Sequence, residues 1–181
     1  TNSYNMCVAA NYSGKAISIS KTTAPHALSY PFTAHYGISH GHAVSLTLND
    51  FLKFNFENIQ HSNCKFDLVK RYKKIFNVSN TLNINELNLF INRIKLRAGL
   101  ENNFSKLGIN IKDNLPKILS GVNDQRLSNN PIEITKSDIK SKIDFLNNNT
   151  ANMFLVSAKT GFGVKGMVSH ITTYIDAIIN N

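Results

Sequence analysis

Acidic residues and glycine-rich motifs are scarce in this sequence, and the lack of glycine-rich motifs argues against a nucleotide-binding protein. The chain of 181 residues has 11 Asp and Glu against 20 Lys and Arg, and no acidic residue precedes Asp50. The phosphate-binding pattern G-x-x-x-x-G-K-[ST] is absent, and no glycine-rich turn follows a strand-like segment. The sequence therefore carries no nucleotide-binding fold that we can identify.

Cysteines and long apolar runs are also few. Cys7 and Cys64 lie in unrelated segments without a C-x-x-C spacing, which favours free thiols in a reduced, cytoplasmic setting. No apolar run is long enough to span a membrane, and no signal peptide is evident. We therefore predict a cytoplasmic protein without a membrane partner.

The basic residues are numerous but dispersed. The formal charge is +9 and the pI about 9.6, a balance that suggests nucleic acid or an anionic substrate as a partner. The densest run, at 70–74, has no accompanying aromatic stacking platform. It is typical of a solvated helix face, so nucleic acid is the less favoured partner.

Histidines are concentrated in one short stretch. Four of the six lie within seventeen residues: His26, His35, His40 and His42. Thr23 is a good N-cap, Pro25 fits a first helical turn, and Gly37 can end the helix in a left-handed conformation. A second helix is predicted to start at Ser39.

The turn between these helices decides whether the histidines can meet. In one continuous helix His26 and His40 would lie about 21 Å apart, whereas two packed helices have axes only about 8–10 Å apart. The pair could then share a metal ion, with Tyr30 on the same face as His26 and His42 pointing elsewhere. Ordinary cap and interface histidines are the alternative, and the spacing leaves both open.

The stretch NYSGKAISISKTTAPHALSYPFTAHYGISHGHAVSL resembles the signature region of the iron-containing alcohol dehydrogenase family. Its AN-x-x-GKA, KTTAPHA and HGHAV segments are most similar to the branch that includes phosphonoacetaldehyde reductases. SNNPIEITKSDI, at 128–139, is similar to the family's C-terminal ending, so the resemblance covers about residues 5–143. It implies that His26 and His40 supply two of four protein ligands to divalent iron or zinc.

The resemblance also implies a reaction. The metal would act as a Lewis acid on an aldehyde carbonyl while NAD(P)H, bound by a domain absent from this chain, delivers hydride. Tyr30 stands where many members have a histidine near the reacting centre, and it is the candidate catalytic residue, although the histidine's proton-relay role does not simply transfer to it. Lys15, Lys21, Thr22 and Thr23 are candidates to bind the substrate's phosphonate, because a helix N-terminus attracts anions. An ordinary capped helix start with solvated lysines is the alternative.

The sequence also departs from the family in the ligands of the metal site. The upstream Asp and His that complete the metal site in the family are missing, since residues 1–25 contain no Asp, Glu or His. The first helix also begins without an entry signal, as in a segment of a larger protein. We therefore expect the isolated chain to be inactive unless a partner chain supplies the dinucleotide-binding half; a homo-oligomer is left open.

The remaining sequence predicts a mainly α fold. Further helices are predicted at 66–76, 86–97, 103–108, 113–120 and 135–146, which would complete an all-helical metal-binding domain at 1–146. The first of these is predicted to carry one apolar stripe, formed by Phe66, Val69, Tyr72 and Phe76. Residues 147–181 are interpreted as a linker followed by a short strand and helix. Between that strand and helix, SAKTGFGV resembles the SAK loop of small GTPases, but the match is short.

Two other functions remain open at this point. One is a non-catalytic helical binding or assembly module that retains the fold of this enzyme family. The other is a GTPase-like piece, which rests on the tail alone. A partner chain with a glycine-rich fold and an Asp-x-x-x-His pair would favour the enzyme over the module.

Overall fold

The protein is described by a computed structural model over residues 2–135, 137–141 and 143. In that part of the chain every regular element is helical, which confirms the predicted all-α class. The predicted strand and helix at 147–181 lie outside the described residues. The helices are α1 Asn2–Ile19, α2 Ala24–Tyr36, α3 His40–Glu57, a 3₁₀ turn Ile59–His61, α4 Leu68–Ser79, α5 Ile84–Arg97, α6 Ile111–Ser120 and α7 Asp124–Leu127.

The turn between α2 and α3 forms as the sequence predicts. Thr23 occupies the N-cap position of α2, and Pro25 lies in its first turn. Gly37 adopts φ 66°, and its N–H donates to the carbonyl of Thr33, which ends the helix. Ser39 then stands at the N-cap of α3. Only a residue that tolerates the left-handed region can close α2 so sharply.

The main core lies between α2, α3, α6 and the segment that joins α5 to α6. Phe32 of α2 stacks on Phe104, with ring centroids 5.6 Å apart. Both rings are fully buried, and burial of a side chain of this size contributes about 1.5–3 kcal/mol. Other members include Leu28, Ala43, Leu46, Phe51, Ile109, Ile111, Ile118, Ile139 and Ile143. This core holds α2 against α3.

A second, smaller core joins α4 and α5 to the later turns of α3. Tyr72 and Phe76 of α4 are buried with Leu87 of α5, and the Tyr72 hydroxyl donates to the Leu52 carbonyl at 2.8 Å. The predicted apolar stripe is wrong at its start, because Phe66 and Val69 are 51% and 45% exposed. Asp67 caps α4, which begins at Leu68, so Phe66 precedes the helix. The face of α4 that packs into this core consists of Leu68, Tyr72 and Phe76, and Val69 lies outside it.

Of the two predicted helices at 103–108 and 135–146, the first does not form and the second is present in the part that the structure describes. Residues 104–108 form a hydrogen-bonded turn that ends at Gly108 with φ 74°, so the helix predicted at 103–108 is wrong. The predicted final helix is confirmed at 137–141: Thr135 Oγ1 accepts from the Asp138 N–H, and the Asp138 carboxylate accepts from the Thr135 N–H. These reciprocal bonds are a capping box.

The first helix stands apart from both cores. No residue of α1 is buried, although the predicted helix itself forms. Large apolar side chains are exposed along it, including Tyr4, Met6 and Tyr12. Among the residues that the structure describes, no helix is long and apolar enough to cross a membrane.

Candidate metal site

The two histidines singled out by spacing lie together in the fold. His26 is in the first turn of α2 and His40 begins α3, and their ring centroids are 5.4 Å apart. A metal–nitrogen bond of about 2 Å puts each imidazole centre roughly 3 Å from the ion, so two imidazoles on one ion have centroids about 5 Å apart. The observed separation therefore fits a pair of metal ligands.

Ser29, one turn after His26, determines which nitrogen of His40 is free. Its hydroxyl donates to the His26 carbonyl at 2.8 Å and lies 3.3 Å from Nδ1 of His40. A hydroxyl has one hydrogen, which the carbonyl already takes, so Ser29 Oγ must accept from Nδ1–H of His40. His40 then carries its lone pair on Nε2, the arrangement that metal-binding histidines show when the other nitrogen is held by a hydrogen bond.

The environment keeps His26 in the metal-binding form. Burial of its imidazole, and then the charges of His40 and Arg126, lower the pKa of His26 below its ordinary value of 6.5. Neutral imidazole is the form that binds metals. His26 is half-buried and His40 is exposed, so the pair opens to solvent.

Tyr30 lies beside this pair, as its position four residues after His26 predicts. Its ring centroid is 6.2 Å from that of His40. The guanidinium of Arg126 lies over the same ring, with its carbon 5.2 Å from the ring centroid. Tyr30 is therefore adjacent to both His40 and a cationic side chain.

The four residues predicted to bind the substrate are found in different settings. Thr22 Oγ1 accepts a hydrogen bond of 2.7 Å from Nη1 of Arg126. Thr23 takes the N-cap position, but its side chain makes no capping hydrogen bond. Lys15 lies on α1 with its ammonium group 5.6 Å from the Tyr12 ring centroid, and Lys21 is exposed between α1 and α2. Thr22 is thus the member of the set with a direct contact to a residue beside the histidines.

Arg126 is the residue that sequence reasoning missed. It lies in α7, 84 residues after His42, and the segment that drew attention to this region starts two residues later, at Ser128. No local pattern marks it, because its position depends on packing between α7 and α2.

The other two histidines of the stretch have different surroundings. Nε2 of His42 donates to the Glu101 carbonyl at 2.6 Å, so this imidazole connects α3 to the segment after α5. His35 is exposed in the last turn of α2, edge-on to Tyr36. Within the described part of the chain, no group of three or more His, Cys, Asp or Glu side chains could hold a metal ion. The described site therefore offers two candidate ligands.

The fold and site define an all-α domain with a paired-histidine candidate metal site at a helix–helix junction. The model of the C-terminal domain of the Fe-containing alcohol dehydrogenase family matches residues 2–144, so the chain belongs to this family.

Two known proteins are similar to it. A phosphonoacetaldehyde reductase from Streptomyces viridochromogenes is 47% identical over 47 residues, which are 26% of this chain and 12% of the relative. The crystal structure of a sulfoacetaldehyde reductase from Bifidobacterium kashiwanohense, in complex with NAD+, superposes with a TM-score of 0.57 at 25% identity. That match covers 70% of this chain and 31% of the other. The chain thus spans an eighth to a third of the length of these relatives.

Proposed function

We propose that this chain is the metal-binding helical half of an NAD(P)-dependent alcohol dehydrogenase or aldehyde reductase, in which His26 and His40 hold divalent iron or zinc. The observation that carries the proposal is the imidazole pair, with centroids 5.4 Å apart and Nε2 of His40 left free by Ser29. Neutral imidazole suits both metals. Further ligands and the NAD(P) site would come from a dinucleotide-binding half.

The bound ion and the residues around the histidine pair would have distinct roles in the reaction. The bound ion would supply a Lewis acid that polarises the substrate's carbonyl group. Ser29 holds the tautomer and ring orientation of His40, and Tyr30 lines the side of the reacting centre. The substrate would be a short aldehyde with an anionic group such as a phosphonate, since both similar proteins are named as reductases of two-carbon anionic aldehydes.

A second candidate is a non-catalytic helical assembly module that retains the fold. The exposed apolar side chains of α1 favour a partner surface on that helix, and the described residues offer only two candidate metal ligands. Both features are also expected of an enzyme domain that lacks its dinucleotide-binding half. Metal binding is therefore the property that distinguishes the enzyme domain from the assembly module.

The test is isothermal titration of zinc, and anaerobically of iron(II), into the wild-type chain and the double variant His26→Ala, His40→Ala. Exposed His35→Ala is the matched control, because it removes one imidazole from the same helix outside the pair. We expect one ion per chain, with affinity reduced at least about tenfold in the double variant and unchanged in the control. Identical isotherms for wild type and double variant would refute the metal site.

Activity provides a second check. The isolated chain should not oxidise NAD(P)H with any aldehyde, because the proposal places the cofactor site in another domain. Addition of a dinucleotide-binding half that carries an Asp-x-x-x-His pair should restore oxidation, and this gain should be lost in the double variant. Restored activity that persists without His26 and His40 would contradict their role.

A further inference from the structure

We propose that Arg126, with Thr22 and the ring of Tyr30, forms a subsite for the tetrahedral oxyanion of the substrate, a phosphonate or sulfonate on a short aliphatic carbon. This assignment rests on the proposed function for the identity of the substrate. The binding of the oxyanion itself can be measured without metal, cofactor or turnover.

The first support is the chemistry of the guanidinium. Arg126 is half-buried, and Thr22 Oγ1 uses one of its N–H groups at 2.7 Å. Arginine presents five N–H donors in a planar fork that can hold two oxygens of one oxyanion, and such charged bonds are about twice as strong as neutral ones. The guanidinium carbon also lies over the Tyr30 ring, 5.2 Å from its centroid, a contact that arginine commonly makes with aromatic faces.

The second support is the distance to the candidate metal site. Tyr30 is adjacent to both groups, with its centroid 6.2 Å from that of His40 and 5.2 Å from the guanidinium carbon of Arg126. In a two-carbon aldehyde the carbonyl and the anionic group are separated by one methylene carbon. A protein that binds both ends of such a molecule needs a cationic group close to its metal site, and Arg126 meets that requirement.

The third support is that backbone packing places Arg126 there. Pro31 lies inside α2 and has no N–H, so the Ala27 carbonyl lacks its usual helical donor. The Asn123 N–H lies 3.4 Å from this carbonyl and donates to it. Gly121 permits this approach, because a Cβ on it would lie 3.0 Å from the Pro31 Cβ. Asn123 then caps α7 by accepting from the Arg126 N–H at 2.9 Å.

These contacts would hold the arginine backbone in place even without the Thr22 bond. The alternative role is a tether, in which the guanidinium only joins α7 to the start of α2. A tether predicts loss of stability but no selective affinity for an oxyanion, so a direct binding measurement separates the two roles.

The experiment is an NMR titration of the full metal-free chain with methanesulfonate and with methylphosphonate, following the Tyr30 ring and the Arg126 side-chain N–H signals. Dimethyl sulfone is the neutral probe, because it has the shape of methanesulfonate without the charge. We expect both anions to shift these signals saturably, and the sulfone to leave them unchanged.

Variants then locate the effect. Arg126→Gln should weaken anion binding at least about tenfold, and Arg126→Lys should retain part of it, since lysine keeps the charge but not the fork. Arg93→Gln is the matched control, because Arg93 is exposed on α5 and its loss removes the same charge. It should leave the affinity for the anions unchanged.

Several results would overturn the inference. An equal response to sulfone and sulfonate would do so. Unchanged anion affinity in a folded Arg126→Gln variant would also do so, as would equal losses of anion affinity in Arg126→Gln and the control Arg93→Gln. If Arg126→Gln does not fold, two other measurements test the inference. One compares the binding of sulfonate and sulfone to the wild type. The other is Thr22→Val, which should weaken anion binding only about threefold. Anion binding without metal binding would refute only the proposed function, and metal binding without anion binding would refute only this inference.

Discussion

Lys95 offers the sharpest quantitative test of the fold beneath the candidate site. It lies on α5 and is only 5% exposed, so its ammonium group has lost most of its hydration. This burial lowers the pKa of Lys95 from 10.5 to about 8, although the carboxylate of Asp50 on α3 acts in the opposite direction. The charged form is therefore penalised in the folded protein.

The size and sign of the effect follow from linkage. A fall from 10.5 to about 8, at about 1.4 kcal/mol for each tenfold change in proton affinity, amounts to about 3 kcal/mol. This figure already includes the attraction of Asp50. Between pH 8 and 10.5 the unfolded chain holds the Lys95 proton and the folded chain does not, so the contribution of Lys95 to stability rises with pH in this window. Below pH 8 the whole penalty is present.

The perturbation is Lys95→Met, which keeps the length of the side chain and removes the charge. We expect the variant to be about 3 kcal/mol more stable than the wild type at pH 7, and the difference to shrink towards zero at pH 10.5. Urea unfolding followed by circular dichroism at pH 7, 9 and 10.5 measures both quantities.

Lys73→Met is the control, because Lys73 is exposed on α4 and its replacement changes the net charge equally. It should shift stability by less than about 0.5 kcal/mol at every pH. A Lys95→Met variant that is less stable at pH 7, or a difference that does not vary between pH 8 and 10.5, would refute the argument that Lys95 is buried at a cost.

Three further predictions concern the turns and the site. Gly37→Ala should cost about 1 kcal/mol in urea unfolding, because the new Cβ meets no atom within 4 Å and only the left-handed φ of 66° is penalised; no loss would mean that the turn is not left-handed. Gly121→Ala should cost about 1–3 kcal/mol by the same method, since its Cβ would press on Pro31, and an equally stable variant would show that the C-terminal end of α6 lies further from α2. In the metal-free chain, NMR should place the titration midpoint of His26 below 6.5, and Arg126→Gln should raise it by removing a nearby positive charge; a midpoint at or above 6.5 would contradict the described burial.

The sequence by itself determined the class of fold and the core of the site. Thr23, Pro25, Gly37 and Ser39 delimit two helices through local backbone chemistry, which acts within a few residues and can be deduced without the fold. The same turn brings the His26 and His40 helices side by side. The resemblance to the family, carried by one long motif, then suggested what the pair could do.

Local patterns failed where packing decided the outcome. The stripe predicted in α4 includes Phe66, which precedes the helix, and Val69, which lies outside its buried face. The helix predicted at 103–108 is a turn that carries Phe104 into the core. Apolar periodicity shows which side chains could share a face, but not which face finds a partner.

Only the tertiary structure assigned the surroundings of the histidine pair. The tautomer of His40 depends on a buried hydroxyl eleven residues earlier, whose single hydrogen is taken by a carbonyl. Arg126 lies beside Tyr30 because Pro31 frees a carbonyl on α2 and the backbone of Asn123 donates to it, across 96 residues of sequence. Such contacts join segments distant along the chain and require no local pattern, so they become visible only when the helices have packed.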